Sequence, residues 1–148
     1  MPSMKRQIFD ALEAQLVANL PWAKTISWEK IRLLSSDFAS HEIPVVQFYH
    51  LRTDYDHSQG RLDARMRLVV EVVTKATATA TADQRTLFDL MEDVELAVGL
   101  VPNLGVPGVI HVRYLSDESD IHTIEPFFLG VLTFEVIHRK GYAGCTGP

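Results

Sequence analysis

Hydrophobic residues recur along the chain at two periods, and these periods mark out its elements. Between residues 4 and 20, Ile8, Leu12, Leu16 and Leu20 fall at every fourth position with Phe9, Ala11 and Val17 beside them, interleaved with Lys5, Arg6, Asp10 and Glu13. A stripe of this period predicts an amphipathic helix, with Ser3 as its N-cap and Pro21 as its stop. Leu87, Leu90, Met91, Val94, Ala97, Val98 and Val101 make a second stripe. It predicts another helix, entered through a capping box of Thr81 and Gln84 and ended by Gly99 and Pro102.

Residues 61–75 follow a period of two. Leu62, Ala64, Met66, Leu68, Val70 and Val72 share one parity; Arg61, Asp63, Arg65, Arg67, Val69, Glu71, Val73 and Lys75 share the other. This is one long strand, reaching about 45 Å at its usual rise, whereas a domain of this size has a radius of gyration of about 15 Å. One end is therefore expected to overhang the core as a projecting β-hairpin with the preceding strand, 45–51, its polar tip carrying Arg52, Asp54, Asp56, His57 and Arg61. A lone hairpin cannot bury its apolar side, so the tip is expected to be mobile or covered by another subunit.

Weaker alternation predicts strands over 25–34, 109–115 and 127–139. Loops are expected over 35–44 and across the acidic stretch 116–125, with a Thr/Ala connector at 75–82. The order is helix, three strands, helix, two strands. Two helices cannot cover both faces of five strands, so the expected fold is α+β: a mixed or antiparallel sheet with both helices on one face. Residues 1–139 form its single domain and the Gly-rich 140–148 a flexible tail. The other face remains oddly apolar, because Val69, Val73, Leu129, Val131 and Ile137 all take the parity opposite to the helix side. A one-sided antiparallel sheet alternates more cleanly than this, so a neighbouring subunit is expected to cover that face in part.

Composition narrows the function. The 148 residues are 47% hydrophobic, enough for one core and too apolar for disorder. Fourteen Lys and Arg against 19 Asp and Glu give a net charge of −5, which disfavours a dedicated binder of nucleic acid or anionic membrane. One cysteine, Cys145, fits a reducing compartment. Asp10 and Glu13 interrupt the first apolar stretch before a signal-peptide core forms, and no 18-residue apolar run predicts a membrane span.

No catalytic, cofactor or metal site assembles from the motifs. His41-Glu42 lacks the second His of a helical zinc motif, and Pro44 forbids its helix. The histidines at 41, 50, 57, 111, 122 and 138 show no ligand spacing. Asp117, Glu118, Asp120 and Glu125 lack the central glycine of a calcium loop. Glu71 and Glu135 could pair as catalytic carboxylates, but Arg67, Lys75 and Arg139 offer ordinary cross-strand partners. Gly105-Val106-Pro107-Gly108 has no Lys-Ser/Thr to complete a phosphate loop and reads as a turn. Cys145 has no nearby base. Trp22 and Trp28 read as core or interface anchors.

A run of segments resembles the tail terminator (minor tail protein U-like) family of long-tailed bacteriophages. They are the helix Lys5-Arg-Gln-Ile-Phe-Asp-Ala-Leu-Glu-Ala-Gln-Leu, the strands Pro44-Val-Val-Gln-Phe and Arg67-Leu-Val-Val-Glu-Val-Val, the helix Leu87-Phe-Asp-Leu-Met-Glu-Asp-Val-Glu, the turn Pro102-Asn-Leu-Gly, and the strands His111-Val-Arg-Tyr-Leu and Gly130-Val-Leu-Thr-Phe-Glu-Val. The resemblance is one of layout, spanning residues 4–139. It implies a structural virion protein, not an enzyme, without cofactors or metal, found in the tail–neck region and assembled in the host bacterial cytoplasm. Such a protein forms a homo-oligomeric ring, typically a hexamer, at the head-proximal end of the tail tube. There it stops tube polymerisation and meets the tail-tube protein, the neck or connector protein and, as a further partner, the sheath protein. DNA passes through the ring without specific binding, which suits an acidic chain. The candidate inter-subunit interface is Arg61, Asp63, Arg65, Arg67, Val69, Val73, Leu129, Val131 and Ile137. Similar layouts also serve neck, head-completion and other tail-completion proteins. That reading, and a small-ligand-binding or enzymatic α+β domain, stay open at this point.

Overall fold

The computed structural model describes residues 2–28, 43–58, 61–75, 80–120 and 127–142, excepting the side chains at 58, 61, 80–82, 120, 141 and 142. In chain order the elements are α1 (Met4–Asn19), β1 (Thr25–Ser27), β2 (Val45–Ser58), β3 (Arg61–Lys75), α2 (Ala80–Gly99), β4 (Val109–Asp120) and β5 (Phe127–Tyr142). The strands form one mixed sheet in the order β1-β2-β3-β5-β4; β1 runs parallel to β2 and every other pair is antiparallel. The architecture is the expected α+β fold.

Ser3 caps α1 as its position predicts: its Oγ accepts from the Arg6 backbone N–H at 3.2 Å. Ile8, Phe9, Leu12 and Leu16 are buried, whereas Val17 is turned to solvent. From α2 the buried apolar side chains among the described residues are Leu87, Met91, Val94, Ala97 and Val98. Both helices join one core with the even-numbered residues of β3 (Met66, Leu68, Val70, Val72) and with Val46, Phe48, Leu132, Phe134 and Val136. Gly130 brings α2 close, because an added Cβ there would lie 2.5 Å from Met91 Sδ. After α2, Leu104, Gly105 and Gly108 take positive φ in the turn that leads to β4.

Several boundaries differ from expectation. β4 continues through Ser116–Asp120, where acidic composition predicts a loop. Leu129–Thr133 of β5 lie alongside in register, and ladder hydrogen bonds override local propensity there. β2 extends to Ser58 through an irregularity between His50 and Arg52, and β5 extends to Tyr142, three residues into the expected tail. β1 has only three residues and has ended by Trp28; residues 29–34 of that expected strand, and most of the loop after it, lie outside the described residues. β2 and β3 pair antiparallel as far as Ser58 opposite Arg61, and β5 accompanies β3 to the same level, Tyr142 opposite Arg61. On the helix side of this three-stranded end, Ala64 and Met66 are fully buried by the chain's own residues.

The doubly apolar pattern of β3 follows from its place in the sheet. It lies between β2 and β5, and a second cluster of Ile43, Val45, Val73 and Phe127 packs on the face away from the helices. Val69 is 4% exposed and Val73 6% in a single chain, so neither needs a neighbouring subunit to leave water.

Candidate assembly surface

The alternation of β3 and β5 carries the expected interface positions to one face. In register, Arg65 lies opposite Ile137, Glu71 opposite Val131 and Val73 opposite Leu129, all on the side away from the helices. Their exposure divides them. Val69 and Val73 are buried; Asp63, Leu129, Val131 and Ile137 are half-buried; Arg65 and Arg67 retain open guanidinium groups. The side chain of Arg61 lies outside the described residues.

Two buried carboxylates, Glu71 and Glu135, stand on this face, and Glu135 gathers its arginines. Glu135 is 5% exposed and is approached by Arg113 at 3.5 Å, Arg65 at 3.7 Å and Arg67 at 3.9 Å. The register produces the cluster, since Glu135 pairs with Arg67 on β3 and with Arg113 on β4. Sequence reasoning anticipates Arg67 as a partner and misses Arg113, which becomes a neighbour only once β4 is placed outside β5. Arg65 also reaches Asp56 at 3.9 Å, and Arg52 pairs with Asp54 at 2.6 Å. Five N–H donors on each guanidinium exceed what one shared carboxylate accepts, so the face presents fixed cationic donors to its surroundings.

Glu71 lies on the same face, accepting from Gln47 Nε2 at 3.0 Å and from the Tyr49 hydroxyl at 2.9 Å. Its opposite residue on β5 is Val131, four positions from Glu135, so the two carboxylates are separated by about 13 Å along the strands. That exceeds the roughly 5–9.5 Å of paired carboxylate catalysis. Among the described residues, no group of three His, Cys, Asp or Glu side chains is arranged to hold a metal ion. His41-Glu42 and Cys145 lie outside the described residues.

Two further polar features bear on the molecule's edges and interior. His138 is fully buried on the helix side, and burial pushes its pKa below the usual 6.5. At the outer strand β4, the Tyr114 hydroxyl donates to Asp117; burial first, then that hydrogen bond, pushes its pKa up. The tryptophans behave as anchors. Trp22 Nε1–H donates to Asp93 Oδ2 at 3.0 Å, joining the end of α1 to α2, and Trp28 packs against Phe9 with ring centroids 5.4 Å apart. No helix among the described residues is long and apolar enough to cross a membrane.

No protein-family model and no curated protein sequence matches this chain. Among solved structures, the fold is similar to a chain from the virion of a native gene transfer agent particle, with a TM-score of 0.52 at 13% sequence identity. The likeness covers 88% of this chain and 93% of that one.

Proposed function

We propose that this chain is a structural component of a phage-like virion, and that it forms a ring at the head-proximal end of the tail tube, ending tube polymerisation and joining the tail to the neck. The observation that carries this reading is the fold likeness to a virion chain over nearly the full length of both proteins. The segment-by-segment resemblance to tail terminators supports the finer assignment. Interactions follow from that role: copies of the chain within the ring, the tail-tube protein below it, the neck or connector protein above it, and the sheath protein at its flank. A net charge of −5 lets DNA traverse the ring without being held, because few phosphate contacts release counterions.

The face bearing Glu135 is a contact surface in this assembly. Arg65 and Arg67 offer directional donors that set register, beside the half-buried Leu129, Val131 and Ile137. The test is negative-stain microscopy of the purified protein alone and mixed with tail tubes. Rings with a central hole that cap tube ends are expected. Particles that ignore tubes and bind portal or adaptor complexes would overturn the terminator assignment. Reversing Arg65 and Arg67 to Glu together is expected to abolish the rings; intact rings would remove these arginines from the interface.

A further inference from the structure

The two lateral edges of the sheet differ in charge, and each carries a hollow flanked by exposed apolar side chains. At one edge, α1 and the open side of β2 enclose a cleft of about 440 Å³ lined by Lys5, Arg6, Phe9, Trp28, Tyr49 and His50. Its floor is aromatic, its charged lining is cationic, and Trp28 (40% exposed) and nearby Leu51 (53%) leave apolar surface in water. At the opposite edge, α2 and β4 enclose a hollow of about 200 Å³ in which Glu92, Glu95 and Asp117 surround Phe88 and Tyr114. An apolar groove of about 450 Å³ continues from it along Leu96 and Leu100, which are 62% and 58% exposed. Among the described residues, neither edge lining contains a charge of the other edge's sign. Among the described residues, β1 pairs with β2 along Val45–Gln47 and no strand flanks the outer side of β4.

We infer that the acidic, apolar α2–β4 edge of one copy docks on the basic, aromatic α1–β2 edge of the next. Opposite charges at opposite ends of one sheet attract in head-to-tail order and repel in head-to-head or tail-to-tail order. The contact is heterologous, the kind that closes into rings when its rotation permits. The exposed apolar side chains supply the area removed from water, while the carboxylates and cations select the partner edge. Arg6 already holds Asp10 at 3.8 Å, but both side chains are more than three-fifths exposed, and so loose a pair yields readily to a new carboxylate. This inference rests on the ring reading and specifies which surfaces of neighbouring copies meet, distinct from the face bearing Glu135.

The experiment uses two variants of the full chain, Glu92→Lys with Glu95→Lys and Lys5→Glu with Arg6→Glu, compared with the unaltered protein by sedimentation velocity. Circular dichroism serves as the fold control, since these are surface positions. Each variant alone carries like charges on both edges and is expected to weaken self-association at least tenfold. A 1:1 mixture restores complementary edges in alternating order and is expected to assemble within about threefold of the unaltered protein. Assembly that survives both reversals would overturn the edge pairing while leaving the ring reading in place. Loss in each variant without recovery in the mixture would also overturn the pairing. An unaltered chain that stays monomeric with and without tail tubes would overturn the ring reading and the pairing with it.

Discussion

Replacing Gly130 with Ala tests how α2 sits on the sheet. The added Cβ would lie 2.5 Å from Met91 Sδ, 2.8 Å from Met91 Cγ and 3.3 Å from Leu87 Cδ1. Non-bonded heavy atoms rest at about 3.5–4.0 Å, so the methyl overlaps the thioether by about 1 Å. Met91 has little room to yield, being 5% exposed and packed beside a fully buried Leu87. Overpacking of this kind costs about 1–3 kcal/mol, which for a domain of this length lowers Tm by roughly 3–10 °C. Thermal and urea unfolding at one fixed protein concentration give the value, the concentration being fixed because self-association contributes to apparent stability. The double variant Gly130→Ala/Met91→Ala makes the test specific. Met91→Ala alone removes a buried side chain at a cost of about 2–5 kcal/mol. The new methyl then fills part of the vacated space, so the double variant costs less than the sum by about 0.5–3 kcal/mol. A Gly130→Ala protein as stable as the original, or strictly additive costs, would refute the close approach of α2 to β5.

Ser3→Ala removes the oxygen that accepts from Arg6 N–H and is expected to cost about 1 kcal/mol, read as a lowered Tm; an unchanged Tm would show that α1 is not capped there. Burial keeps His138 neutral in the folded chain below its usual pKa of 6.5, while the unfolded chain takes up a proton there. Its contribution is therefore intact above pH 6.5 and lost as pH falls below that value toward the lower folded pKa. Urea unfolding between pH 7 and 5 is expected to show a shallower loss of stability for His138→Leu than for the original chain, with part of the slope left because burial also lowers the His50 pKa. Parallel curves would contradict the buried neutral imidazole.

How far the fold was legible varies with how local its causes are. α1 and β3 could be read almost to the residue, because the packing of Ile8, Leu12 and Leu16, and of Met66, Leu68 and Val70, is written into their own spacing. Ser116–Asp120 misled, since the charged side chains suggest a loop while the strand is held by backbone pairing to distant Leu129–Thr133. Val69 and Val73 suggested a missing subunit because period alone does not show that β3 is central, or that Ile43, Val45 and Phe127 gather on its far face. That the proposed interface positions share one sheet face was legible as a set of parities on β3 and β5. The focus of that surface, Glu135 with Arg113, was not, for it needs the β3-β5-β4 order. The opposed charges of the two edges need more still, because α2 must be laid beside β4 before Glu92, Glu95 and Asp117 share one hollow.

The central claim, that this fold serves as a ring subunit, is tested most directly by the molar mass of the purified chain in solution, measured by light scattering at micromolar concentration. A closed ring is expected to give an integral multiple of the 16.7 kDa chain, about 100 kDa for six copies, independent of concentration above the assembly threshold. A value that remains at 16.7 kDa, alone and with added tail tubes, would contradict the account.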